Sequence, residues 1–280
     1  MMQFDRTLSL VLGDELLGLR VQFNIEKEMT AQGASKADIK IFNLSPTHQA
    51  QIESGSKGQQ IRLSVGYGGE NKVLYQGPVF FASLEKQGAD VITTCQMWQG
   101  VFTDRKAFVQ LENVSDDYEI LKACLTALKP YGVARGHVSD MSIQALRNNR
   151  HSAGFSGLGP TSKFLTMVTK AAGLRWANHN QEINIFGPDE YELPELIELS
   201  ATSGMIGVPS KAEDNAYKVR ALLNPDLAPG RCVRIKSTVF PMHGDLKIIK
   251  GAYVGDSLEG DWYCDLEGVV IRTLPGFVEV

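Results

Sequence analysis

The chain has 280 residues, of which 43% are hydrophobic and 21% charged, with a formal net charge of -4 and a pI near 5.8. That composition excludes long-range disorder and suits roughly two to three folded domains of about 100 residues each. No run of Lys and Arg stands out, so the sequence carries no electrostatic footprint for nucleic acid.

The first hundred residues read as strands. Thr7 to Leu12 alternates, with Leu8, Leu10 and Leu12 on one face, and Gly13-Asp14 turns the chain into Leu19 to Ile25. Ala37 to Leu44 sets Ile39 and Ile41 opposite Lys40. Period two with one apolar face marks a half-buried strand. Ser45 then offers an N-cap and Pro46 a first helical position, predicting a short helix over Thr47 to Ser54 that Gly55 and Gly58 end. Strands resume at Gln60 to Val65, Lys72 to Gln76, Pro78 to Glu85 and Val91 to Met97, the last two joined by the turn Gln87-Gly88-Ala89-Asp90.

The middle changes character. Asp116 and Glu119 resemble a capping box, and Ile120, Leu121, Cys124, Leu125 and Leu128 fall on one helical face. Pro130 and Gly132 close this helix. Residues 133 to 160 read as loops around one strand at Met141 to Leu146. A second helix is predicted from Ser162 to Ala172, and a hairpin from Leu174 to Ala177 and Glu182 to Phe186. Strands return from about 195, at Tyr217 to Leu222, Cys232 to Lys236, Leu246 to Val254 and Asp261 to Leu266.

The end of the chain echoes its beginning. The strand Asp38 to Phe42 leads into Asn43-Leu44-Ser45-Pro46, and later to Gly58 and the strand Ile61 to Val65. Lys218 to Leu222 leads likewise into Leu223-Asn224-Pro225, then to Gly230 and Val233 to Lys236. Ser83-Leu84-Glu85 and Ser257-Leu258-Glu259 each precede a turn and a strand that opens on Asp, at Asp90 and Asp261. Order, turn residues and spacing agree, which predicts a duplicated β-barrel unit. The fold class expected is mainly β with an α/β insert: a β-barrel over residues 1–112, a small mixed α/β domain over 113–194 and a related antiparallel barrel over 195–280. Three such chains could present six similar barrels in a closed ring.

Chemistry is not visible in the same way. No phosphate-binding Gly-rich loop is present. Gly154-Phe155-Ser156-Gly157-Leu158-Gly159 is a near miss for a nucleophile elbow and reads as a flexible loop. His48, His137, His151, His179 and His243 are dispersed and read as solvated. Glu26 and Glu28 read as a wet strand face, and Asp116 and Asp117 as a helix N-terminus. Trp98, Trp176 and Trp262 read as core or interface anchors. Cys95, Cys124, Cys232 and Cys264 form no C-x-x-C pair and read as buried thiols of a reducing compartment. No catalytic residue, cofactor or metal site is assigned. The segment Met1 to Arg6 does not begin a secretion signal, and no apolar window is long enough for a membrane helix.

Several motifs carry a family resemblance. Ile41-Phe42-Asn43-Leu44-Ser45 precedes the short helix, then come Ile61 to Gly68 and Gly77-Pro78-Val79. Late in the chain stand Leu222 to Gly230 and Gly255-Asp256 through Trp262-Tyr263. In this order they resemble bacteriophage baseplate hub proteins with a tail-tube-like double β-barrel. The resemblance implies a structural virion protein made in the host bacterial cytoplasm, a homotrimer at the tip of the tail tube. Its implied partners are a tail tube or tail-initiation protein, a trimeric central spike and a tape-measure protein, with DNA passing through the lumen and no sequence-specific nucleic-acid contact. Two other readings are a tail-associated cell-wall hydrolase and a carbohydrate-binding β module.

Overall fold

The computed structural model describes residues 5–29, 35–53, 59–99, 106–188, 190, 192–212, 216–237 and 245–271. In chain order the first elements are β1 (Arg6–Leu12), β2 (Glu15–Leu17), β3 (Val21–Glu28), β4 (Lys36–Phe42), α1 (Pro46–Glu53), β5 (Gln60–Tyr67), β6 (Glu70–Pro78), β7 (Phe81–Gln87) and β8 (Asp90–Trp98). Next come β9 (Phe108–Asp116), α2 (Asp117–Leu128), β10 (Ala134–Val138), α3 (Asp140–Asn148), β11 (Arg150–Pro160), α4 (Thr161–Ala171), β12 (Arg175–His179) and β13 (Glu182–Phe186). The chain finishes with β14 (Glu192–Leu199), β15 (Met205–Lys211), β16 (Ala216–Leu222), β17 (Arg231–Ile235), β18 (Asp245–Asp256) and β19 (Trp262–Ile271).

The protein is mainly β with an α/β insert, and it forms two compact units. One takes the chain up to Lys27, Lys36–Met97 and everything from Tyr191 on; the other takes Glu28–Ser35 and Trp98–Glu190. In the first unit the early and late strands share a single core, running from Leu10, Phe23, Ile39 and Leu63 to Val219, Ile248, Tyr253 and Leu266. Alternation explains why. In β4, Ala37, Ile39 and Ile41 are buried while Lys36, Asp38 and Lys40 are exposed; in β16, Val219 and Ala221 are buried while Lys218 and Arg220 are exposed.

The early and late strands of this unit repeat one order. β1 pairs with β5 and β5 with β6, and at Val79 and Phe80 the chain passes from Gln59 to Gln96 as backbone partner and continues as β7. The order β7-β8-β4-β3 completes the set. The late strands run β14-β17-β18-β19-β16-β15, with β18 doing alone what β6 and β7 do in succession. The two sets differ in direction at one end, where β14 runs parallel to β17 whereas β1 runs antiparallel to β5. Two sheets result: β2-β1-β5-β6, and a ten-stranded sheet in which β18 lies beside β3 and so joins the late strands to the early ones. Neither set closes as a barrel among the described residues.

The second unit has its own core, built by Val109, Ile120, Leu121, Cys124, Leu146, Phe164, Leu165, Val168, Trp176 and Ile185. Asp116 caps α2 as its sequence suggests, its carboxylate accepting from Glu119 N at 2.9 Å, while Glu119 reaches back to Ser115 N at 2.9 Å. Three strands pair as β10-β13-β12, and β9 pairs with β11. The stretch 133–160 departs from its expected loops. Met141 to Leu146 is helix rather than strand, because Ser139 caps it through Ser142 N at 3.0 Å. The Gly-rich 154–159 stretch is strand β11, not loop. Gly157 and Gly159 lie against the ring of Phe164, where a Cβ at Gly157 would come within 3.1 Å of it. The ends of α1 at Gly55 and Gly58, and His243, lie outside the described residues.

Candidate functional site

Two features of the first unit stand out: a broad wet sheet face, and the seam where β3 meets the end of β18. The wet face runs across β16, β19, β18, β3 and β4. Pairing register sets opposite charges directly across from one another. Arg220 faces Asp265, and its Nε and Nη2 donate to the two carboxylate oxygens at 2.6 and 2.8 Å. Lys218 faces Glu267, and Lys36 faces Glu26. Opposite-charge pairs in facing positions each contribute a few tenths of a kcal/mol up to about 1 kcal/mol. The consequence is a charged surface without one dominant sign.

The seam is built from a sequence motif. Asp256, in Gly255-Asp256, accepts from Arg20 Nη2 at 2.7 Å and Nε at 3.3 Å, from Gln22 Nε2 at 2.8 Å and from Leu258 N at 2.9 Å. The neighbouring Ser257 donates its N–H to Val21 O and accepts from Val21 N through Oγ, both at 2.9 Å. Burial opposes ionisation of Asp256, but the Arg20, Leu258 and Gln22 hydrogen bonds outweigh it and hold the carboxyl at about 2. Arg20 also lies 4.7 Å from the Phe42 ring centroid. Beside the seam, Phe23 meets Trp262 edge-on at 5.8 Å. Thus the late Gly-Asp…Trp-Tyr motif fastens the last strands to the first. The sequence pairs this acid with no partner, since its partners lie 234 to 236 residues away.

The other residues singled out in the sequence sit apart from these features. Asp117 is buried at the start of α2 and accepts from Asn149 Nδ2 at 3.0 Å, with His151 Nε2 at 2.9 Å. His48 bridges Ser45 and Glu15, and His179 meets the buried Ser35 hydroxyl at 2.9 Å, so these three histidines are held rather than solvated. His137 stacks on Phe186. Glu26 is exposed as expected. Trp176 and Trp262 are core residues, while Trp98 is 41% exposed. All four cysteines are buried free thiols. Ser156 of the near-miss motif accepts from Asn113 N at 3.0 Å within the β9–β11 ladder. Among the described residues no group of His, Cys, Asp and Glu is arranged to hold a metal, and no helix is long and apolar enough to cross a membrane.

No protein-family model matches the sequence, and no curated protein sequence matches it. Solved structures do share its fold. The 43 kDa tail protein of prophage MuSo2 from Shewanella oneidensis superposes with a TM-score of 0.62 at 9% identity, over 95% of this chain and 98% of that one. A tail protein from Neisseria meningitidis MC58 gives 0.65 at 9% identity, over 95% and 96%. The c3393 protein of E. coli, described as a type VI secretion component structurally similar to the T4 bacteriophage tail proteins gp27 and gp5, gives 0.63 at 9% identity, over 94% and 77%. The chain therefore shares its fold with these phage tail and type VI secretion proteins.

Proposed function

We propose that this protein is the baseplate hub of a phage or phage-like tail, a structural component of the virion. Three copies form a ring that joins a six-fold tail tube to a three-fold central spike and surrounds the channel. The repeated strand order carries this reading: one chain holds two like units, so three chains present six like positions to a tube and three identical ones to a spike. Near-complete coverage of tail proteins by the fold supports it.

The wet face of the ten-stranded sheet suits a channel wall. Facing positions pair Arg220 with Asp265 and Lys36 with Glu26, so a passing polymer meets no strip of one sign to hold it. The partners on this reading are the tube or tail-initiation protein, the spike and the tape-measure protein, with DNA crossing the lumen. The role assigned is structural and not enzymatic.

Negative-stain microscopy of the purified chain, alone and with a tube or spike protein of its own tail, tests the proposal. A three-subunit ring with a central pore is expected. A particle that stays monomeric at all concentrations and with both partners present would overturn it.

A further inference from the structure

Among the described residues, His48, His151 and His179 each meet a hydroxyl or a carboxylate. His151 lies against Asp117 and the Phe155 ring, with no hydroxyl on it among the described residues. His179 meets Ser35, which is wholly buried and out of reach of any substrate. His48 is different, because it joins both kinds of group at the surface. Its Nδ1 lies 2.9 Å from Ser45 Oγ and its Nε2 lies 2.8 Å from Glu15 Oε2. Ser45 and Glu15 are exposed, and His48 is partly buried between them.

The three side chains come from separate stretches. Glu15 opens β2 just after the turn from β1, Ser45 stands directly before α1, and His48 lies in the first turn of that helix. Ser45 Oγ accepts from His48 N at 3.3 Å, a bond that caps the helix. Capping asks nothing of the imidazole. The ring instead ties the cap to a carboxylate 33 residues away. A carboxylate only accepts, so Nε2 carries the proton and Nδ1 turns its lone pair to the Ser45 hydroxyl. A hydroxyl, a base within its reach and a third group orienting that base are the arrangement that activates a serine. Thr47 N–H finds no acceptor among the described residues and is available to an oxyanion formed beside Ser45.

We propose that Ser45 is an activated nucleophile that hydrolyses small acyl esters, an activity separate from the structural role and not dependent on the ring. Ser45 Oγ attacks the ester carbonyl carbon as its proton passes to His48 Nδ1. The carbonyl then re-forms, the bond to the alcohol oxygen breaks, and the same proton goes to the departing alkoxide. The acyl group is left on Ser45. Water attacks that ester next, giving a proton to His48, and the carboxylic acid leaves as Ser45 takes the proton back. Glu15 is a positioning residue: it holds the ring and offsets the charge of the imidazolium. Ser45 stands on open surface, so the ester it suits is a short acyl group projecting from its alcohol.

Hydrolysis of p-nitrophenyl acetate by the full chain, and labelling with a fluorophosphonate, test the proposal. Steady release of nitrophenolate is expected, with the phosphonyl group found on Ser45 by peptide mass spectrometry. Ser45→Gly removes the hydroxyl at little cost to the cap, and Ser45→Asp removes it while keeping a strong cap residue. Both are expected to unfold at the parent's temperature and to lose about 100-fold in rate, as is His48→Ala. Glu15→Gln is expected to lower kcat about tenfold with KM unchanged, a split that a merely structural contact would not produce. A parent that hydrolyses the ester no faster than folded Ser45→Gly and Ser45→Asp overturns the proposal. So does a label that falls on any residue other than Ser45.

Discussion

Arg20 and Asp256 meet side by side at 2.7 Å although 236 residues separate them, and they fasten the end of β18 to the start of β3. The pair is half-wet on the arginine side and buried on the carboxylate side, where an unpaired charge would be costly.

Asp256→Asn is expected to lower stability by about 1 kcal/mol at neutral pH, a figure kept below the full linkage of the shifted carboxyl because Arg20 faces water. The folded carboxyl sits at about 2 against an ordinary 3.8. Its contribution is therefore present above pH 4 and is lost as pH falls toward 2. Urea unfolding of both proteins between pH 2 and 7 checks this; the difference between them narrows below pH 4.

Lys27 is fully buried, with its ammonium 5.6 Å from the Tyr253 ring centroid, and burial lowers its pKa to about 8. The folded value lies below the ordinary 10.5, so the unfolded chain binds the proton more tightly. Burying the charge costs most below pH 8, and the cost fades as pH rises to 10.5. Lys27→Met is expected to stabilise the protein by about 2 kcal/mol at pH 7, with the gain over the parent shrinking above pH 8. Thermal unfolding at pH 7, 8.5 and 10 measures it.

Two glycines of one motif fail differently. A Cβ at Gly66 would strike the Glu70 carbonyl oxygen across the β5–β6 ladder, a backbone atom that cannot swing away. Gly68 has open space but a φ of +60°. Gly66→Ala is expected to cost about 3 kcal/mol, in the overpacking range, and Gly68→Ala about 1 kcal/mol, the left-handed backbone cost. Chemical denaturation of the two variants separates them.

Burial pushes the thiols of Cys95, Cys124 and Cys264 up to about 12 and that of Cys232 to about 11. The native chain is expected to resist a thiol-disulfide reagent at pH 8, and all four groups to react once urea unfolds it. Fast labelling of any one in native buffer would show that its segment opens locally.

Much of this architecture is legible in the sequence because it is written locally. Ile39 and Ile41 against Lys40, and Val219 and Ala221 against Lys218, declare their strands by alternation alone. Asp116 and Glu119 declare the cap of α2. What stays hidden depends on distant partners. β11 contains Gly154, Gly157 and Gly159, poor strand formers that the ring of Phe164 and the β9 ladder make necessary. β14 has its partner in β17, a parallel neighbour with no hairpin to announce it. The Arg20–Asp256 clasp has no local signal at all: the Gly-Asp motif marks the acid, and only the fold supplies the guanidinium.

The most direct test is the rotational symmetry of the particle, imaged end-on by cryo-electron microscopy. Joining two like units in each of three chains predicts a mass three times the 30.7 kDa of one chain, with strong three-fold power and a six-fold harmonic from the alternating units. A particle lacking both harmonics, or one of any other copy number, would contradict the account.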